Sequence, residues 1–399
     1  MNLDALRPTF LARIYPQVGV LFFAQALLLI NNVTFITINA LAGASLAPNP
    51  MLATLPIAAQ VLAAALCTYP ASLLMARFGR RVGFSVGAGF GLLGALLAAL
   101  GMVQHSLALL CTGTFLAGVY NGMGQYYRFA AADAAQQYRP SFKAQAIALV
   151  LAGGVVGGIV GPEMAKLTRA SYETVFVGTY LTLACFALLA MAVVQAVRLP
   201  QAAAPAPAAD EAVLSAWQVL AQPKVRAAVV CGAVAYGLMN LLMVATPLAM
   251  QVCGYGFNDI AWVIEWHVVA MFAPGFFTGK LNDRFGVQRL MYAGGALFIL
   301  AAVVNLLGNS LWHFWFALTV LGLGWNWLFT GATTLLTTTY SPSQKARVQG
   351  INDAVVFGTM VFSSLSSGVL VVSHGYALMN AVAIPLVVWA MWVLWKHGK

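Results

Sequence analysis

Polar positions are rare along this chain and fall in clusters, with long apolar runs between them. The runs lie near 17–41, 51–76, 83–103, 107–131, 145–165, 174–197, 226–251, 259–281, 288–308, 312–338, 350–371 and 376–395. Each reaches about 20 residues, the length at which an α-helix crosses the hydrocarbon core of a bilayer. The pattern predicts an all-α membrane protein with twelve transmembrane helices. Between the sixth and seventh runs, "LPQAAAPAPAADEA" at 199–212 has the Ala/Pro-rich make-up of a linker. It divides the chain into an N-terminal six-helix bundle at 1–198, a linker at 199–222 and a C-terminal six-helix bundle at 223–399. The first run is too long for the apolar core of a signal peptide and contains Asn31, Asn32 and Asn39, so it reads as a retained first helix.

Composition supports lipid as the solvent. The chain is 61% hydrophobic and only 8% charged, against roughly 25% charged residues in soluble domains. The formal charge of +10 suggests a nucleic-acid partner until the charges are placed. With the N-terminus in the cytoplasm, all Lys and Arg except Lys166 and Arg169 fall on cytoplasmic segments. The charge is therefore a topology signal, both termini are expected in the cytoplasm, and no nucleic acid is expected as partner. Five cysteines, mostly within apolar runs, do not form a disulfide framework. There is no Walker motif and no catalytic constellation. The chain reads as neither an enzyme nor an ATP-driven pump, with no prosthetic group.

The halves repeat. "SLLMARFGRR" (72–81) follows the second run and "GKLNDRFGVQ" (279–288) follows the eighth, with Arg77 and Arg284 offset by 207. This resembles the cytoplasmic-loop signature of the major facilitator superfamily, roughly G-x-L-x-D-R-x-G-R-R. The second copy keeps Gly279, Asp283, Arg284 and Gly286. The first keeps Arg77, Gly79 and Arg80 but has Ser72 for Gly and Ala76 for Asp, which puts its loop–helix ion pair in question. "GGIVGP" (157–162) is similar to the Gly-Pro element of that superfamily's antiporters, without the later glycine. The resemblance implies two pseudo-symmetric six-helix bundles around a central cavity, alternating access, and a binding site near the bilayer midplane. Such motifs are structural and say little about cargo.

Cargo must be read from polar and soft groups inside the membrane, where ionisable residues are functional candidates by default. Arg128 and Asp353 lie near cytoplasmic helix ends, where an ion pair or a snorkelling anchor accounts for them. His267 lies about 12 Å deep, at 1.5 Å per residue, inside "AWVIEWHVVAMFAPGFF". Met271 follows it by one turn. On the preceding helix Met239 and Met243 have the same spacing, so each pair occupies one helix face. All four share a depth window of about 12–18 Å. Thioethers and a neutral imidazole are soft ligands that select Cu(I) over hard ions and bury no permanent charge. The plain alternative is that methionine fills gaps between helices, around a generic organic-solute site.

At these residues a narrower resemblance appears. M-x-x-x-M followed by H-x-x-x-M is similar to the CcoA-like copper importers of the superfamily, whose wider family includes riboflavin-type uptake carriers. The resemblance implies a metal site of Met239, Met243, His267 and Met271, with copper, as Cu(I), the transported substrate. It implies import across the bacterial inner membrane to supply cbb3-type cytochrome oxidase assembly, with a copper chaperone or assembly factors as partners. Cys231 and Cys253 are candidate metal relays, against the plainer reading of structural cysteine. Gln60 is the 207-offset counterpart of His267. Asn31, Asn32 and Asn240 line or brace the cavity, and Glu265 is either a proton-coupling group or a paired bystander. Two rival readings remain open: an importer of an organic solute such as riboflavin, and a proton-coupled drug exporter using Glu265 or Asp353.

Overall fold

The computed structural model describes residues 7–138, 143–199, 215–340 and 344–398. All its regular elements are helical. In chain order they are α1 (Arg7–Leu46), α2 (Leu55–Phe78), α3 (Arg80–Val103), α4 (Leu107–Gly124), α5 (Tyr127–Tyr138), α6 (Lys143–Leu151), α7 (Gly153–Thr168) and α8 (Val177–Val194). After the linker come α9 (Ala216–Ala221), α10 (Pro223–Val252), α11 (Phe257–Phe272), α12 (Gly275–Phe285), α13 (Val287–Leu307), α14 (Leu311–Thr337) and α15 (Lys345–His397). Positions 200–214 of the expected linker lie outside the described residues. Its last part forms α9, where Ser215 and Gln218 make a capping box.

Among the described residues, nine helices are long and apolar enough to cross a membrane, and α11 with α12 make a further, bent span. α15 contains Gly375 at φ 78, which ends one arm and starts another. With α14, these are the twelve segments that the hydrophobic pattern predicts. Pro223 opens α10 at its first turn, where a missing N–H costs nothing.

Compactness divides the chain into two units. One is Met1–Ile38 with Leu62–Ala204, and the other is Asn39–Val61 with Pro205–Lys399. In the first, α3 packs on α4 and α8 through small residues. A Cβ on Gly94 would stand 2.6 Å from the carbonyl oxygen of Gly113, so only glycine lets these backbones approach. Asn31 Nδ2 donates to the Leu183 carbonyl at 3.2 Å and Thr34 Oγ1 to the Gly161 carbonyl at 3.1 Å, tying α1 to α8 and α7.

In the second unit α10 packs along α15 and α13 along α14. A Cβ on Gly294 would stand 2.9 Å from the Gly324 carbonyl oxygen, the same device as in the first unit. The segment Asn39–Val61 belongs here because Thr54 Oγ1 donates to the Ser364 carbonyl at 2.9 Å. A Cβ on Gly368 would come within 2.6 Å of the same Thr54 hydroxyl. These two units differ from the two halves of the sequence by that one segment.

Candidate functional site

The eighth span is broken. α11 stops at Phe272 and α12 starts at Gly275, bent by 45°. Pro274 is the local cause, because it has no N–H to donate to the carbonyl four residues back. A break inside a membrane helix frees backbone polar groups, and these need partners. Asn326 of α14 supplies them. Its Nδ2 donates to the Met271 carbonyl at 2.7 Å, and its Oδ1 accepts from Thr278 Oγ1 at 2.6 Å. One buried amide thus clasps both arms. One turn earlier on α14, a Cβ on Gly322 would collide with the His267 carbonyl. One turn earlier again, the Leu318 carbonyl accepts from His267 Nδ1 at 2.7 Å. Leu318, Gly322 and Asn326 recur every four residues along one ridge of the helix. That ridge is the seat of α11.

His267 is 0% exposed. A carbonyl only accepts, so the bond to Leu318 assigns the proton to Nδ1 and, in a neutral ring, leaves the lone pair on Nε2. Nε2 has no hydrogen-bond partner although it is buried. An imidazole pinned at one nitrogen with the other nitrogen open is ready to receive a ligand. Met239, Met243 and Met271 are buried too. α10 and α11 touch each other only sparsely, and each packs instead along α14. What the structure ties directly to the His267–Met271 pair is therefore α14.

The other expected residues separate into several environments. Asn240, between Met239 and Met243, donates to Ser363 Oγ at 2.8 Å and Ser364 Oγ at 2.7 Å, fixing α10 to α15. It is a brace. Gln60 is buried and accepts from Asn39 Nδ2 at 3.5 Å. Glu265 and Asn32 are partly exposed, and each makes interactions of its own. Arg128 lays its guanidinium over the Phe129 ring at 4.8 Å, and Asp353 is exposed beside Asn352. Cys231 is fully buried with its thiol directed at the Ala390 carbonyl, and Cys253 is exposed just past α10.

Both loop motifs make the same turn. Gly79 and Gly286 have φ of 86° and 87°, and Arg77 and Arg284 lie over Phe78 and Phe285 at 5.2 and 5.3 Å. Arg80 pairs with Asp133 of α5, its Nε donating at 2.9 Å. The first copy thus makes a loop–helix ion pair despite Ala76. Gly279 and Asp283 lie on α12, Asp283 at the surface.

The sequence reading passed over Leu318, Gly322 and Asn326. It also passed over an aromatic cluster beside the clasp. Trp325 and Phe329 stack at 5.2 Å with 11° between planes, and Tyr236 of α10 meets them edge-on at 5.2 and 4.9 Å. Phe272, at the break, approaches Trp325 at 6.3 Å. The available signal was "LGLGWNWLF" (321–329), with two glycines and an asparagine in an apolar run.

Comparison with known proteins supplies a frame for this arrangement. The family model described as Major Facilitator Superfamily matches residues 21–272 and, in a second match, 228–399. The chain is 38% identical over 372 residues to the riboflavin transporter RfnT of Brucella anthropi, covering 93% of each. It is 26% identical to the drug efflux pump JefA of Mycobacterium tuberculosis over 157 residues, 38% of this chain and 31% of that one. Among solved structures, the human organic anion transporter MFSD10 (TETRAN) superposes with a TM-score of 0.70 at 14% identity, covering 96% of this chain and 99% of that one. This last likeness bears on the fold alone.

Proposed function

Because the chain belongs to the major facilitator superfamily, and so is a multi-pass membrane transporter and not an enzyme, we propose that it imports an organic solute of the flavin class. The observation that carries this reading is the near full-length similarity to a riboflavin transporter. Similarity to drug efflux pumps covers little more than a third of the chain, which gives export less support. The aromatic cluster on α10, α11 and α14 fits the same cargo, since a planar ring gains about 1–3 kcal/mol by stacking on an aromatic side chain. The carrier sits in the bacterial inner membrane with both termini in the cytoplasm, a reading supported by the placement of its Lys and Arg.

A second reading, copper import, rests on His267. Its open Nε2 is buried, and three buried thioethers occupy the positions that resemble the copper importers. Among the described residues no three His, Cys, Asp or Glu side chains come together. A metal held here would therefore rest on sulfur of methionine and be soft. Copper would then be the substrate, handed on to a chaperone or to oxidase assembly factors.

One assay separates the two. Cells that neither make nor import riboflavin are given this chain, and uptake of labelled riboflavin and of radiolabelled copper is followed in parallel. Flavin accumulation above the empty-vector control is expected. Equal flavin levels in both strains would sink the first reading. Copper accumulation that is lost in His267→Ala and Met243→Ala, at equal protein level, would put the second in its place.

A further inference from the structure

Below the clasp, α14 carries an ordered ridge. Trp325, Phe329, Thr333 and Thr337 recur every four residues and extend over about 18 Å at 1.5 Å per residue. Exposure rises along it. Trp325 is 7% exposed, Phe329 is partly exposed, and Thr333 and Thr337 are exposed. The first half of the ridge is aromatic and the second half is hydroxylated.

Two details bear on what this ridge can hold. The first is the indole of Trp325. Its Nε1 is buried and, like those of Trp315 and Trp327, has no hydrogen-bond partner. It lies in an aromatic corner made with Tyr236, Phe272 and Phe329. Tyr236 is the last partly exposed residue of α10 before an unbroken buried stretch from Gly237 to Met250, so the corner is open on the side of Tyr236 and Phe329. The second detail is the state of the hydroxyls. Thr333 Oγ1 donates to the Phe329 carbonyl at 2.9 Å and Thr337 Oγ1 to the Thr334 carbonyl at 2.6 Å. Their hydrogens are committed to the helix, so outward they present lone pairs and accept. The ridge thus offers π-faces and one indole donor at its enclosed end, and hydroxyl acceptors at its open end.

We propose that this ridge holds the cargo: a planar aromatic ring system against Phe329 and Tyr236, with a hydroxylated chain running along Thr333 and Thr337. The indole N–H meets a carbonyl or ring nitrogen of the ring system. The assignment rests on the flavin-class reading above and names the residues that would serve it. Neither half of the ridge alone selects such a molecule. Aromatic faces accept any flat ring, and the threonines distinguish rings that carry a polyol from those that do not.

The test uses the purified full-length chain in lipid nanodiscs, titrated with riboflavin and with lumichrome, a flavin-type ring without the polyol chain. Binding is read from quenching of ligand fluorescence. Phe329→Leu is expected to weaken both ligands about tenfold, the loss of one stacking partner. The double change Thr333→Val and Thr337→Val is expected to weaken riboflavin about fivefold, the scale of one hydrogen bond, and to leave lumichrome unchanged. Trp325→Phe keeps a ring but removes the N–H. It is expected to weaken both about fivefold, and it decides the matter if Phe329→Leu does not fold. Wild-type affinities in the folded variants would overturn the ridge while leaving flavin import intact. Failure of the wild-type protein both to bind and to take up riboflavin would overturn the flavin reading, and the ridge as its site with it.

Discussion

The chain between α2 and α3 and the chain between α12 and α13 make the same turn, yet the helices that lead into them differ. At the turns, Gly79 and Gly286 share a positive φ, and each is preceded by an Arg laid over a Phe. Further into the membrane α2 runs unbroken from Leu55 to Phe78, whereas its counterpart is split into α11 and α12 with a 45° bend. The 207 offset sets Cys67 opposite Pro274, Ala71 opposite Thr278 and Gln60 opposite His267. The first copy carries a proline of its own, Pro70, three residues past Cys67, yet α2 stays continuous and needs no clasp. The repeat is preserved at the turns and lost in the helices that lead into them. The unlike region is therefore the place to look for cargo chemistry, and the like regions report on the fold.

The largest effects are expected at the clasp. Asn326→Leu removes two buried hydrogen bonds and leaves the Met271 carbonyl without its partner. Each lost bond is worth about 1 kcal/mol, and an unsatisfied buried acceptor costs about 1–3 kcal/mol more. Thermal unfolding in detergent should show a loss of about 3–5 kcal/mol, and uptake should fall at least tenfold. Pro274→Ala probes the same contrast from the other side. It returns an N–H to the break and favours a continuous helix, so stability should hold or rise while uptake falls several-fold. Wild-type uptake in Pro274→Ala would show that the break is incidental.

Next come the counterparts His267 and Gln60. His267 is pinned by Leu318 and has an open nitrogen, whereas Gln60 is engaged by Asn39. His267→Leu should cut uptake about fivefold, because it removes the bond to the Leu318 carbonyl that seats α11 on α14, worth about 1 kcal/mol. Gln60→Leu should cut it by less than threefold at equal protein level. Equal losses would mean that the pseudo-symmetry extends into the site, and that the contrast between the two copies is confined to backbone shape.

The fold was legible because lipid leaves little choice. A span needs about 20 apolar residues with its backbone bonds internal, so the windows predict the helices, and Arg-Phe-Gly marks both turns. His267 and Met271 stood out because an imidazole in an apolar run is rare. The clasp was not legible, because Pro274 and Asn326 lie on helices far apart in sequence and only packing brings the amide to the break. The aromatic corner was hidden by its commonness. In a chain with 12% aromatic residues, Trp325 is distinguished only by ring geometry, since Trp315 and Trp327 also have unpartnered indole nitrogens. Asn240 was legible in kind but not in partner. The sequence left it between lining and bracing the cavity, and the structure shows the interhelical bonds to Ser363 and Ser364.

The like regions should respond alike. Gly79 and Gly286 combine φ near +86° with extended ψ, a region open to glycine and strained for any residue with a Cβ. A Cβ at either position would have nothing within 4 Å, so Gly→Ala there measures backbone strain alone. Each substitution should cost about 1–3 kcal/mol, and the two losses should agree to within about 0.5 kcal/mol, the scatter expected for independent sites. A large inequality in thermal unfolding would mean that one turn is held by contacts the other lacks.

The smallest effect tests the one place where the turns themselves differ. Arg80 pairs with Asp133, and the offset puts Val287 in its place in the second copy. Asp133 is 48% exposed at its side chain, so solvent screens the pair and its worth is at most about 1 kcal/mol. Arg80→Ala should therefore lower stability by less than about 1 kcal/mol, and the loss should shrink further when salt is raised from about 0.1 M to 1 M, as the screening length falls to about 3 Å. Arg80→Lys keeps a charge but not the fork that lets two guanidinium nitrogens reach one carboxylate, and it should recover part of the loss. If Arg80→Ala instead proved as costly as Gly79→Ala and indifferent to salt, the first turn would depend on its ion pair. The matching φ values would then be reached by different means in the two copies, and the turns would be alike in shape only.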